Sequence, residues 1–229
     1  MIWIILIGFM IVGFIVQARL KRKFKKYSEV QLQNGLTGKE IAERMLYDHG
    51  ISGVQVMSTP GRLTDHYNPK DKTVNLSEDV YYSNSVAAAA VAAHECGHAV
   101  QHAKAYKWLE VRSAMVPVVS FSNKALGFLF IAMLLGMSIF SLFPISTVLW
   151  TVIIMQGSIA AFTLVTLPVE YDASERALVW LRNEGVAETG EHRMAKDALN
   201  AAANTYLVAA LAALTQLAYY VLLLVGLDD

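Results

Sequence analysis

A single cysteine, Cys96, stands among 229 residues, so no disulfide can form within the chain. That suits a domain facing a reducing cytoplasm. An excess of charge of either sign is also missing, since Lys plus Arg and Asp plus Glu number 19 each. Composition therefore points to neither nucleic acid nor an acidic partner. Charged residues make up only 17% of the chain against 55% hydrophobic, and the mean hydropathy is +0.41. These values exclude an ordinary soluble domain and indicate a membrane protein. Internal repeats are missing, as are low-complexity linkers beyond one basic cluster.

Polar side chains are absent from Ile2 to Val16, and with Met1, Gln17 and Ala18 this run is just long enough to cross a thin bilayer. The basic residues Arg19, Lys21, Arg22, Lys23, Lys25 and Lys26 follow the run, whereas a cleaved signal peptide carries them ahead of it. An uncleaved anchor fits better. Further apolar runs cover Ala125 to Phe143, Ile145 to Leu167 and about Tyr206 to Leu227, which gives four spans. Pro144 leaves room only for a tight turn, so the second and third spans form an antiparallel hairpin. All 19 Lys and Arg fall in two segments: 15 between Arg19 and Lys124, and Arg176, Arg182, Arg193 and Lys196 between the third and fourth spans. The positive-inside rule places both segments in the cytoplasm.

The first of these segments reads as folded. Thr37-Gly38-Lys39-Glu40 is a capping box that opens a short amphipathic helix stopped near Gly50. Val54-Gln55-Val56, Leu63 to Tyr67, and Thr73 to Leu76 carry strand formers between Gly and Pro punctuation and predict a small sheet. A strand beside a catalytic helix can align a peptide substrate by edge pairing; a purely structural sheet is the equal alternative. Behind the third span, Leu167 to Ala177 predicts a helix ending near Asn183-Glu184-Gly185, and another begins about Thr189.

The chemistry is concentrated in His94-Glu95-Cys96-Gly97-His98, inside an alanine-rich run from about Ser85 to Ala103. Residues four apart share a helix face, so both imidazoles can point at one Zn2+ ion. Glu95, beside them, can act as a general base that takes a proton from the attacking water and returns it to a leaving amine. Cys96 points to another side of the helix and reads as a small buried residue. A hydrolytic zinc site takes a third protein ligand. His102 lies ~12 Å along the axis from His94, too far for one ion on an unbroken helix. His49, His66 and His192 are isolated. The acidic cluster after the third span is the better source; Glu170 opens it, with Asp172, Ser174 and Glu175 nearby. For the oxyanion of the tetrahedral intermediate, Asp65-His66-Tyr67 offers a donor in Tyr67 or His66, and Tyr171 and Arg176 compete for that role.

The chain resembles the YugP-like neutral zinc metallopeptidase family of bacterial membranes. The resemblance runs over nearly the whole length and rests on Gly61 to Tyr67, Asn75-Leu76-Ser77, Ala92 to Ala99, and Leu167-Pro168-Val169-Glu170-Tyr171-Asp172-Ala173-Ser174. It implies a zinc-dependent peptidase of the bacterial plasma membrane, with Glu170 as third ligand to His94 and His98. A weaker similarity joins it to the HtpX and CAAX-prenyl protease group, in which HExxH is followed by Glu-x-x-x-Asp. Here Glu170 matches, but Ser174 stands where that group has Asp.

The expected fold is a mainly α membrane protein with four transmembrane helices and a small cytoplasmic α+β zinc-peptidase domain carrying an HExxH helix. Its expected layout is helix 1 (1–18), a cytoplasmic domain with HECGH (19–123), a transmembrane hairpin (124–168), a cytoplasmic helical segment with the third ligand (169–204) and helix 4 (205–229). The expected activity is endopeptidase cleavage of membrane or juxtamembrane protein substrates by zinc-activated water. Metal His94, His98 and Glu170 and catalytic Glu95, Tyr67 and His66 would make the site, with the lipid bilayer and protein or peptide substrates as partners and no nucleic acid. A non-proteolytic zinc-binding membrane scaffold or chaperone is one alternative. A site-2-type intramembrane protease is another, but the run from Val86 to Ala93 is too short for it.

Overall fold

The computed structural model describes residues 2–135 and 143–228. It is mainly helical, with a three-stranded sheet, in the order α1 (Ile2–Ser28), α2 (Gly38–Asp48), β1 (Gln55–Thr59), β2 (His66–Asn68), β3 (Thr73–Ser77), α3 (Glu78–Tyr81), α4 (Val86–Ala103), α5 (Lys107–Leu134), α6 (Ile145–Asn183) and α7 (Thr189–Asp228). Four of these helices, α1, α5, α6 and α7, are long and apolar enough to cross a membrane. The chain divides into two compact units, one of residues 1–14, 111–167 and 206–229, the other of 15–110 and 168–205.

The first unit is built from the apolar stretches of the four long helices. Two of its polar contacts join different helices: the Ser122 and Ser158 hydroxyls lie 2.9 Å apart, and the Gln156 amide donates to the Ala213 carbonyl at 3.3 Å. Such pairing is what an apolar medium demands of polar side chains.

The second unit is organised around α4. Alanine fills positions 87 to 90, 92 and 93, so the helix is thin, and every residue from Val86 to Gln101 except His94 is buried. Ser85 starts it, its hydroxyl accepting from the Ala88 amide. Helix α2 packs against it through Ile41, Ala42, Met45 and Leu46 after the expected capping box, in which Thr37 and Glu40 each accept from the other's amide. The sheet has the order β1-β3-β2, with β1 parallel and β2 antiparallel to β3, and Val74 and Leu76 of the central strand are fully buried. The C-terminal part of α6 and the start of α7 lock onto the rest: the Trp180 indole donates to Asp48 at 3.0 Å, and Asp197 receives both the Lys23 ammonium and the Tyr27 hydroxyl.

Two details differ from the sequence reading. The strand expected from Leu63 to Tyr67 is confined to His66–Asn68, because Leu63 takes a positive φ of 58° and turns the chain before it can extend. The helix expected behind the third span is no separate element: α6 runs unbroken through Pro168 to Asn183. The end of the second apolar run, residues 136–142, lies outside the described residues; Pro144 directly precedes α6, its carbonyl accepting from the Val148 amide at 3.2 Å.

Candidate metal centre

Helix α4 presents His94 and His98 one turn apart on one face, their rings 4.8 Å from centre to centre. Against that face lies the part of α6 that carries Glu170. The two helices approach very closely at Gly97: a Cβ there would lie 2.5 Å from the carbonyl oxygen of Ala173 and 3.1 Å from two further backbone atoms of that residue. Only glycine permits this crossing, and His94, His98 and Glu170 all sit within one turn of it. His94 Nε2 and His98 Nε2 thereby come within 3.4 and 3.7 Å of one Glu170 oxygen, which is almost wholly buried.

One ligand atom from each of these residues can be chosen so that all lie within 4.8 Å of one another. Tetrahedral zinc, with ligand bonds of about 2.0–2.2 Å, holds its donor atoms roughly 3.4 Å apart, so the spacing and the donor set of two imidazoles and one carboxylate both fit that ion. Burial opposes charging the His98 ring, but the Glu170 carboxylate, and Glu95 with it, outweigh burial and raise its pKa.

The far nitrogens of both rings are held. His98 Nδ1 lies 2.9 Å from Oε1 of Gln101, and His94 Nδ1 lies 3.1 Å from the Ser174 hydroxyl. Gln101 Oε1 can only accept, so His98 Nδ1–H donates to it, and the Ser174 hydroxyl is placed to accept from His94 Nδ1–H whenever the Nε2 lone pair is given to a metal. Gln101 is fully buried, and its amide nitrogen donates onward to the Val169 carbonyl at 2.8 Å and to Asp172 at 2.7 Å. Asp172 in turn receives the Arg176 guanidinium at 2.6 and 3.1 Å, and that guanidinium lies 5.9 Å from the centre of the Tyr106 ring. Ser174 and Asp172 thus support different histidines, one directly and one through Gln101. Gln101 escaped the sequence reading, although its place three residues after His98, on the same face of an apolar helix, was a signal.

Glu95 is buried beside the trio, one oxygen accepting the Tyr67 backbone N–H at 3.0 Å. Tyr67 therefore reaches Glu95 by its amide, while its hydroxyl lies 2.7 Å from His102 Nδ1. His66 is turned away: its side chain is exposed, with Nδ1 2.7 Å from the Thr64 carbonyl. Asp65 clamps the end of β3, accepting from the amide and hydroxyl of Ser77. Glu175 and Tyr171 are exposed on α6, and Arg176 is engaged by Asp172. Cys96 faces α2, with its sulfur 3.5 Å from the Ala42 carbonyl.

A membrane protein with four long apolar helices and a largely buried His, His and carboxylate cluster beside a further glutamate is, as a class, a membrane metalloprotein. The chain belongs to the family described as "Putative neutral zinc metallopeptidase", which matches residues 2–225. Zinc is accordingly its cofactor. It is 39% identical to the "Putative membrane protease YugP" of Bacillus subtilis (strain 168) over 217 residues, 95% of this chain and 93% of the relative. No solved structure matches the chain.

Proposed function

We propose that the chain is a membrane-embedded zinc endopeptidase that cleaves membrane or juxtamembrane proteins at the cytoplasmic face, its catalytic domain assembled from residues 19–123 and 169–204. The observation that carries the reading is the convergence of His94, His98 and Glu170 with Glu95 held alongside by the Tyr67 amide. His94, His98 and Glu170 hold the ion; when bound, zinc supplies the Lewis acidity that polarises the scissile carbonyl and acidifies water. Glu95 takes the proton of the attacking water on a carboxylate oxygen and passes it to the leaving nitrogen. A hydrogen bond from the Tyr67 amide keeps one of its oxygens oriented. Gln101 Oε1 keeps the His98 imidazole in the metal-binding tautomer, and the Ser174 hydroxyl steadies the His94 ring.

Substrate chemistry follows from where these residues fall. Strand β2 lies at the edge of the sheet beside Glu95, so an extended peptide laid along it passes the base. Glu170 lies three residues beyond the apolar run that ends at Leu167, and the concentration of Lys and Arg in residues 19–124 and 176–196 supports a cytoplasmic position. Substrates meeting such a site are those that share its membrane. Purified protein incubated with unfolded casein should cleave it, and a chelator or Glu95→Gln should stop cleavage. Zinc retained without any cleavage would leave the scaffold or chaperone role instead.

A further inference from the structure

Strand β2 is three residues long and lies at a sheet edge, a form that frays unless something outside the sheet holds it. Two hydrogen bonds tie it to α4, and both come from Tyr67: the amide to Glu95 and the hydroxyl to His102. Glu95 and His102 are seven residues apart, about two helical turns, so they lie on one face and roughly 10 Å apart along the axis. A single tyrosine bridges that distance, helped by the backward lean of helical side chains, which brings the His102 ring toward Glu95. The rings of Tyr67 and His102 are inclined at 54° with centres 5.8 Å apart, so the contact is made at their polar atoms.

We propose that His102 is a positioning residue of this site: it anchors the Tyr67 side chain, and that anchor keeps the Tyr67 amide on Glu95. One bond would let the strand pivot about Glu95; a second, two turns away, fixes its angle. Because His102 acts through Tyr67 on the base, its loss should lower turnover and leave the metal residues untouched. This role rests on the peptidase reading, but the tether itself is measurable without activity.

The experiment uses the full chain in detergent, as His102→Ala, Tyr67→Phe, the double variant and His102→Asn, whose side-chain amide places a polar atom where Nδ1 sits. Amide hydrogen exchange over residues 62–69 reads the tether. His102→Ala and Tyr67→Phe should exchange about fivefold faster, the loss expected of one ordinary hydrogen bond, and Asn should restore protection. On casein, both single variants should lose a similar factor in kcat with KM and zinc content unchanged, the double variant should lose no more than either, and Asn should recover the rate. Unchanged exchange in His102→Ala would overturn the proposal, as would a double variant whose losses multiply. Wild-type protein that bound zinc yet cleaved nothing would sink the peptidase reading alone, with the exchange comparison still deciding the tether.

Discussion

Replacing Gly97 by alanine adds one carbon at the closest point between α4 and α6. The new Cβ would lie 2.5 Å from the Ala173 oxygen, and because the opposing atoms are backbone no side-chain rotation relieves it. Ordinary contact is about 3.5 Å, so the helices must separate by roughly 1 Å. Ligand bonds to zinc tolerate about 0.2 Å, so His94 and His98 on one helix and Glu170 on the other can no longer all reach the ion. Overpacking of this kind costs about 1–3 kcal/mol, while alanine returns close to 1 kcal/mol of helix propensity. Thermal stability is therefore a blunt readout, and zinc affinity a sharp one. If the strain is carried by the metal-bound arrangement, Kd for zinc should rise about 10- to 100-fold at roughly 1.4 kcal/mol per tenfold. Competition against a chromophoric chelator measures it in purified protein. Gly190→Ala, where a Cβ meets nothing within 4 Å, is the control and should bind zinc as wild type does. Wild-type affinity in Gly97→Ala would refute the argument that this crossing sets the spacing of the ligands.

Four other outcomes are expected. Glu95→Gln should keep zinc and lose at least about 100-fold in cleavage, and an undiminished rate would remove Glu95 as the base. Glu170→Ala should lower zinc occupancy measured by elemental analysis; unchanged occupancy would move the third ligand elsewhere. Gln101→Leu, which strips the His98 ring of its acceptor, should weaken zinc binding by about 10- to 100-fold, more than Ser174→Ala, and equal binding in wild type and Gln101→Leu would show that the ring needs no such support. In a Cys96→Ala background, cysteines at Lys72 and Glu188 should resist a membrane-impermeant thiol reagent on intact cells while one at Asp229 reacts; labelling at Lys72 would invert the topology.

The parts legible from sequence are those governed by local periodicity. Two histidines four residues apart declare a shared helix face, four long apolar runs declare helices fit for a bilayer, and Thr37 with Glu40 declares a capped start. Glu170 came partly from family pattern, because nothing local says which carboxylate of its cluster faces α4. What stayed hidden depends on how α4 and α6 meet. Gly97 reads in isolation as a weak spot in a helix, and its purpose is visible only with the Ala173 carbonyl beside it. Gln101 reads as an ordinary polar residue until Val169 and Asp172 are brought to its amide. The expected layout closed the hairpin at residue 168 and began a separate helical segment at 169, yet α6 passes through Pro168 without a break. The tyrosine of Asp65-His66-Tyr67 was read for its hydroxyl, whereas its backbone amide is the group that meets Glu95.

The position of Cys96 bears on how the protein withstands oxidants. Zinc centres that use thiolate ligands lose their metal when the sulfur is oxidised, and a free thiol next to a metal site invites the same damage. Here the only sulfhydryl is one residue from Glu95 and two from either histidine, yet it lies beneath α2, fully buried against Ala42. Burial, with the charge of Glu95 adding to it, pushes its pKa well above the ordinary thiol value, so the reactive thiolate does not form at neutral pH. Peroxide and disulfide reagents therefore find no thiolate beside the proposed ligands, whose nitrogen and oxygen donors those reagents leave alone.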